Sequence, residues 1–384
     1  MKKKVLFIST CHYPNGDALA IRQHSVANLF ISNGWEVEII AYQPKKSSII
    51  LYDRNIKCNL YGGNHLHFKQ YLTNYFSKCQ HLPHTILVTG IPLPAYMYVI
   101  KIAKRSNLIL YRDSSEWFSL SEFIGFNIFS IKGILSYFQN IIKNTIFFDK
   151  HIGVICISKY LYNYFTKNGA RSIRIPVIMD LNDFQENKIY SDNLLRITYA
   201  GSSTAGRKDY IKETIHAITK LNEDERSHIN FMLIGLNSDD VAKISGLSKK
   251  YLANLRCLRI MGRVPRSEVI QHLNETDFTI LIRSSTARYA KAGFPTKVVE
   301  SLMSSTPVIC NMTSDLGMYL KDGYDCIEVA DETPDAIVKA LRRALALTPA
   351  QKDQMKKNAR KTAEENFDYR LYIEEFGKFI KNES

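Results

Sequence analysis

The 384-residue chain has no uninterrupted apolar run of about 18 residues, the length a membrane-spanning helix needs, so no span is expected. It has few cysteines. The seven (Cys11, Cys58, Cys79, Cys156, Cys257, Cys310, Cys326) are scattered, with no CxxC and no tight cluster. A zinc ribbon and a disulfide scaffold are both excluded, and reduced thiols of a cytoplasmic protein fit best. Low-complexity tracts are missing too: 45% hydrophobic and 23% charged residues describe a globular chain, not a disordered one. The start, Met1-Lys2-Lys3-Lys4-Val5-Leu6-Phe7-Ile8, imitates a secretory leader. Its apolar run ends after four residues at Ser9, too short for one, and reads as a buried first strand.

What is present is a basic excess, unevenly placed. Residues 1–190 carry 22 Lys and Arg against 11 Asp and Glu; residues 191–384 carry 29 against 26. A basic first half attracts nucleic acid, anionic lipid or phosphorylated substrates, and composition does not choose among them.

Apolar runs alternate with helical patterns along the chain. Strands are predicted at Lys4–Thr10, Trp35–Tyr42, Thr85–Thr89, Leu108–Tyr111 and His151–Ser158, with a helix over Gly16–Asn33. The periodicity fades over 185–195, a predicted linker, and then restarts. Strands are predicted at Leu195–Ala200, Asn230–Gly235, Leu258–Met261, Phe278–Arg283 and Pro307–Asn311, with helices at Asp209–Leu221, Val269–Asn274, Thr296–Met303, 333–347 and 350–382. Such alternation predicts two doubly wound α/β halves in series, each a parallel sheet covered on both faces, with ligands at the carboxyl ends of the strands.

The segment Trp117–Phe148 holds nine aromatic residues and three charges, Glu122, Lys132 and Lys143. It is read either as a pair of buried helices or as an interfacial helix lying on a bilayer surface beside a basic domain.

The strongest local signal is Lys291-Ala-Gly293-Phe294-Pro295-Thr296-Lys297-Val-Val-Glu300-Ser-Leu, followed by Ser305-Thr-Pro-Val-Ile. A Gly-Phe-Pro-Thr turn opens a helix, and Pro295 suits the first helical turn, where its missing N–H costs nothing. The free amides and positive dipole end suit a diphosphate. Glu300 lies about one turn on, on the same side, where it accepts hydrogen bonds from sugar hydroxyls. Ordinary helix capping is the alternative.

This block resembles the donor-site motif of retaining nucleotide-sugar glycosyltransferases of family 4. In that family a Glu, seven residues and a second Glu precede a Pro-Val strand; here the second is Glu300, and Ala292 stands in place of the first. Other segments match in order: Ile155-Cys-Ile-Ser158-Lys-Tyr-Leu161, Ile175-Pro176 to Phe184, Tyr199-Ala-Gly201-Ser202 with Lys208, Phe231–Gly235, and Met261-Gly-Arg263-Val264-Pro265.

The resemblance implies a GT-B fold, two Rossmann-like doubly wound α/β domains facing a central cleft. The acceptor domain would span 1–185 and the nucleotide-sugar domain 195–362, with the C-terminal helix, about 363–384, packed back on the first. It implies a metal-independent hexosyltransferase using a nucleotide-sugar donor, with UDP-sugar favoured. The expected donor-binding residues are Gly16, Gly201, Ser202, Arg263, Val264, Gly293, Phe294, Pro295, Thr296 and Lys297.

The family places an Arg directly after the glycine and a Lys about six positions on. Here Ser202 stands at the Arg place, Lys208 keeps the Lys spacing, and Arg207 is the substitute cation. Fixed cations there stabilise the charge that develops on a leaving diphosphate. No Asp-x-Asp occurs in the chain, so no metal cofactor is expected; His65-x-His67 reads as ordinary surface histidine. The expected catalytic set is Asp113, Arg207, Lys208 and Glu300. Asp113 stands where the family often carries a cleft histidine; its alternatives are an N-cap or a buried pair with Arg112.

The basic, aromatic-rich first half points to a polyprenyl-diphosphate-linked or other glycan acceptor at an anionic membrane surface. The expected place is the cytoplasm, peripherally on the inner face of the membrane, in polysaccharide or glycoconjugate assembly. A nucleotide-sugar 2-epimerase on the same fold is the first alternative. A basic nucleic-acid-binding protein is the second, disfavoured because the charge forms no stripe within a known binding motif.

Overall fold

Strand β1 (Lys4–Ser9) is buried over its last five residues. An unbroken apolar strand has no face to give to water, so it needs cover on both sides. The same holds for β5 (Thr85–Thr89), buried throughout. The computed structural model describes the chain except for residues 1, 14–16, 43–48, 54–55, 64–66, 123–130, 147–148, 150, 187–191, 193, 202–207 and 382–384. Two compact units result: Met1–Met179 with Tyr369–Ser384, and Asp180–Asp368.

In the first unit the other strands are β2 (Glu36–Tyr42), β3 (Ile49–Asp53), β4 (Ile56–Tyr61), β6 (Ile109–Ser114), β7 (Gly153–Cys156) and β8 (Ser172–Arg174). The sheet order is β3-β4-β2-β1-β5-β6-β7-β8. Every neighbouring pair is parallel apart from β3 with β4. Strands β3, β4 and β8 are not among those predicted from the sequence. In β4 the apolar pattern is broken by buried Asn59, whose amide donates to Glu38 Oε1 at 2.7 Å. A buried polar pair is invisible to a hydropathy pattern.

The helices are α1 (Ala18–Ser32), α2 (Phe68–Lys78), α3 (Leu93–Arg105), α4 (Ile131–Ile141, continued as a π-turn over Ile142–Ile146) and α5 (Lys159–Lys167). Asp17 caps α1, accepting from Ala20 N at 2.8 Å, as an N-terminal Asp should.

The second unit holds β9 (Leu195–Ala200), β10 (Ile229–Ile234), β11 (Leu258–Gly262), β12 (Phe278–Leu281), β13 (Val308–Cys310) and β14 (Cys326–Glu328). Their order is β11-β10-β9-β12-β13-β14, all parallel. Each sheet has doubly wound order, with one switch point where the direction of winding reverses: between β1 and β5, and between β9 and β12. The helices are α6 (Ile211–Lys220), α7 (Glu223–Ser227), α8 (Ser238–Ser245), α9 (Lys249–Asn254), α10 (Arg266–Leu273), α11 (Arg288–Ala292), α12 (Thr296–Met303), α13 (Pro334–Leu345) and α14 (Pro349–Asn366).

The single helix expected over 350–382 is two. Helix α14 ends at Asn366, a short 3-10 turn covers Tyr369–Tyr372, and α15 runs Ile373–Lys381. Phe367 causes the break: it is fully buried against Phe294 and Tyr319, and its backbone has left helical geometry. The segment from Tyr369 belongs to the first unit. There Phe376 meets Phe30 edge-on at 5.0 Å, and the Arg171 guanidinium lies over Phe379 at 4.4 Å. No helix among the described residues is long and apolar enough to cross a membrane.

Candidate active site

The second unit's switch point is where the predicted site residues gather. β9 pairs with β12 over two positions, Ile197 with Phe278 and Thr198 with Thr279. Beyond them an isolated antiparallel bridge between Asp209 and Arg283 ties the segment before α6 to the segment just after β12. Helix α12 starts beside this point. Val298, Val299, Ser301, Leu302 and Met303 are buried, while Thr296, Lys297 and Glu300 are half-buried. Spacings of three and four put these last three on one side of the helix. Ala200, Leu281, Lys297 and Glu300 line a common small cavity.

Asp209 organises the cations. Its Oδ2 accepts from Lys297 Nζ at 2.6 Å and from Tyr199 OH at 2.8 Å; its Oδ1 accepts from Arg283 Nε at 3.0 Å. Burial works to raise the Asp209 pKa. The charges of Lys297 and Arg283, with their hydrogen bonds, outweigh it and hold the pKa at about 2. Burial lowers the Lys297 pKa, an effect Asp209 opposes and Arg283 reinforces. Arg283 is fixed from β13: its N–H donates to Asn311 Oδ1 at 3.0 Å, and Asn311 Nδ2 donates to its carbonyl at 2.6 Å.

Gly201, at the end of β9, stands against this cluster. A Cβ there would lie 2.3 Å from Tyr199 OH and 2.7 Å from Lys297 Nζ. Only glycine leaves the ammonium open at this point.

Several predicted residues act differently from the reading of the sequence. Glu300 is not a free acceptor: its Oε1 takes Arg266 NH2 at 3.0 Å and Nε at 3.2 Å. The Phe294 ring is buried against Tyr319 and Phe367, so its side chain anchors the turn from within the core. Pro295 is the N-cap of α12, one position before the first helical residue, not inside the first turn. Gly293 follows α11 and donates its N–H to Tyr289 O at 2.9 Å. The Lys208 carbonyl accepts from Tyr289 OH at 2.7 Å, tying the 208–209 segment to α11.

Arg263 is exposed and Val264 half-buried, both just after β11 at the carboxyl edge. Gly262 before them has φ +68, a conformation glycine adopts freely. Gly16, Ser202 and Arg207 lie outside the described residues, as do His65 and the stretches 123–130 and 147–148 of the aromatic segment.

Asp113 lies in the first unit as a closed ion pair. Arg22 Nε donates to both carboxylate oxygens at 3.0 Å, and NH2 donates to Oδ1 at 2.8 Å. Arg22 NH1 donates to the carbonyls of Ile175 and Pro176. The side chains are 3% and 1% exposed, so Asp113 presents no carboxylate oxygen to a substrate. Its partner is Arg22, not Arg112. Arg112 faces the other way, donating to the Lys143 carbonyl at 2.9 Å and to Asn144.

Asp209, Arg283, Asn311 and Arg266 were not singled out from the sequence. The signal available was weak: Asp209 follows Lys208 directly, and Arg283 ends a predicted strand at its carboxyl end, where ligands bind. Among the described residues no three His, Cys, Asp or Glu side chains come together as a metal-ligand group.

Residues 186–362 match the family model described as Glycosyl transferases group 1. Over that stretch the chain is similar to this family, and its two Rossmann-like units have the GT-B fold of the solved structures that follow. No curated protein sequence matches the chain. Among solved structures it is similar to a sucrose-phosphate synthase from Thermosynechococcus elongatus, with TM-score 0.76 and 14% identity over 99% of both chains. It is also similar to HepE from Anabaena in complex with UDP and glucose (TM-score 0.68, 13% identity, 99% of this chain and 100% of that one). A third is WaaG, a glycosyltransferase involved in lipopolysaccharide biosynthesis (TM-score 0.68, 14% identity, 98% and 99% covered).

Proposed function

We propose that this protein is a retaining, metal-independent glycosyltransferase that moves a sugar from a nucleotide diphosphate donor, UDP-sugar in the first instance, to a glycan acceptor. The observation that carries the reading is the position of Lys297. It lies in the first turn of α12, beside Gly201 and Arg283, at the switch point of the second sheet. Helix amides without intrahelical partners and a fixed ammonium together suit a diphosphate. HepE, which shares the fold, has been captured with UDP-glucose.

Cleaving the glycosidic bond leaves negative charge on the diphosphate. Cations already in place stabilise that charge without reorganising, which is the task a metal performs in other transferases. Retention follows from front-face substitution, in which the leaving phosphate takes the proton of the acceptor hydroxyl and no enzyme nucleophile is needed. Glu300, held by Arg266, and Thr296 flank the donor from the same side of α12.

For the acceptor, we propose a lipid-linked glycan at an anionic membrane. The support is the basic excess of residues 1–190 and the side chains of Ile134, Leu135 and Phe138, 43%, 54% and 53% exposed on α4.

The test is a thermal-shift screen against UDP-, GDP- and dTDP-sugars, then transfer assays with EDTA and NMR of the product's anomeric configuration. Donor stabilisation, EDTA-resistant transfer and a retained anomer are expected. Activity lost to EDTA and restored by magnesium or manganese would refute metal independence. Failure of every nucleotide sugar to bind would refute the function.

A further inference from the structure

Asp209 is a carboxylate, buried at 3% exposure, in a site proposed to receive an anion. Taken alone it would repel a diphosphate. Its surroundings give it another role. One negative charge is shared between Lys297 and Arg283, so the cluster keeps one net positive charge. Tyr199 adds a neutral hydrogen bond to the same oxygen that holds Lys297, and the Lys297 ammonium lies over the Tyr199 ring at 4.4 Å.

A lysine has four side-chain torsions that place its ammonium and loses rotamer freedom when fixed. Here the tip is held by Asp209 and Tyr199 before any ligand arrives, with the 2.6 Å bond as the clasp. Arg283 is set by Asp209 on one side and by Asn311 on the other. Gly201 supplies the opening.

We infer that Asp209 is a positioning residue, which fixes Lys297 and Arg283 beside Gly201 so that Lys297 meets the diphosphate of the donor. This assignment rests on the proposed nucleotide-sugar reading. It moves the main phosphate contact from the loop after β9 to the first turn of α12.

The charged and titratable groups facing Lys297 are Asp209, Arg283, Tyr199 and, on its own helix, Glu300; Glu300 is held by Arg266. Removing the Asp209 charge leaves Arg283 and burial acting against the ammonium. Lys297 then loses its proton at lower pH than in the unaltered protein, and diphosphate affinity falls with it.

The experiment is calorimetric titration of full-length protein with UDP, using uridine as the phosphate-free reference, at pH 6.5 and pH 9. Unaltered protein, Lys297→Met, Asp209→Asn and the double variant are compared. Lys297→Met is expected to weaken UDP binding by about tenfold or more with uridine binding unchanged. Asp209→Asn is expected to weaken UDP binding more at pH 9 than at pH 6.5, beyond any change in the unaltered protein. The double variant loses that extra pH dependence, which a merely structural role for Asp209 would not produce. UDP affinity in Lys297→Met equal to that of the unaltered protein overturns the assignment, and this arm decides even if Asp209→Asn does not fold. So does a pH response of Asp209→Asn that matches the unaltered protein. If unaltered protein binds none of UDP, GDP and dTDP, the nucleotide-sugar reading fails first and takes this one with it.

Discussion

Arg22 and Asp113 form a two-pronged ion pair closed off from water inside the first unit, with the arginine also holding two carbonyls of the segment after β8. The pair joins α1, β6 and that segment. Every nitrogen of the guanidinium has an acceptor, which is the condition under which a buried ion pair is tolerated.

Breaking this pair by removing one partner leaves a buried charge alone. Arg22→Met is expected to cost about 3–5 kcal/mol of stability, read by urea unfolding. Asp113→Asn keeps the shape and loses the charge, so it should destabilise as well while leaving UDP binding intact under conditions where it stays folded. Loss of UDP binding by folded Asp113→Asn would return Asp113 to the ligand site.

The Glu300–Arg266 pair is partly exposed, so its contribution to stability is small. Glu300→Gln should shift the melting temperature little and lower kcat/KM for the donor by roughly tenfold or more, a loss of charge-assisted hydrogen bonding. Lys208→Ala is expected to lose most transfer with the fold intact. Near-normal turnover in both variants would remove 208 and 300 from the site.

Acid should unfold the protein partly through Asp209 and Glu38. Burial works to raise both pKa values, but each is held at about 2, Asp209 by Lys297 and Arg283, Glu38 by hydrogen bonds from Lys4, Lys57 and Asn59. Their folded pKa values lie below the unfolded ones of about 4. Their stabilisation is thus complete above that value and is lost as pH falls through it toward 2. Glu38→Gln should flatten the dependence of melting temperature on pH in this window and leave it unchanged at pH 6–8.

Lys143 gives the opposite sign. Burial, then the neighbouring Arg112, lowers its pKa to about 8. Between about 8 and the unfolded value near 10.4 the unfolded chain binds more protons, so stability from this group rises with pH across that range. Lys143→Met is expected to raise the melting temperature at pH 7, with a smaller gain at pH 10. A gain that is constant across this range would show that Lys143 keeps its proton in the folded chain.

The two parallel sheets were legible because their strands are nearly pure apolar runs, β1 and β5 above all. Missing from the pattern were β4, with its buried Asn59–Glu38 pair, and short strands such as β8 and β14, which carry too few residues to show a period. Helix α12 and its first turn were legible from Gly293 to Glu300, because caps and helix starts are local chemistry. The Asp209 cluster was not. Lys297, Tyr199 and Arg283 are 88, 10 and 74 residues from Asp209, and each reads alone as an ordinary charged or aromatic residue.

By itself, the sequence determined that the chain makes two parallel α/β sheets and that a helix start around Thr296 offers amides at a carboxyl edge. These follow from hydropathy and backbone geometry within a dozen residues. Tertiary structure alone decided the charge partners: Arg22 for Asp113, Arg266 for Glu300, Asp209 for Lys297. An ion pair forms wherever folding brings opposite charges within reach, and that distance is set by strand order, which no local pattern encodes.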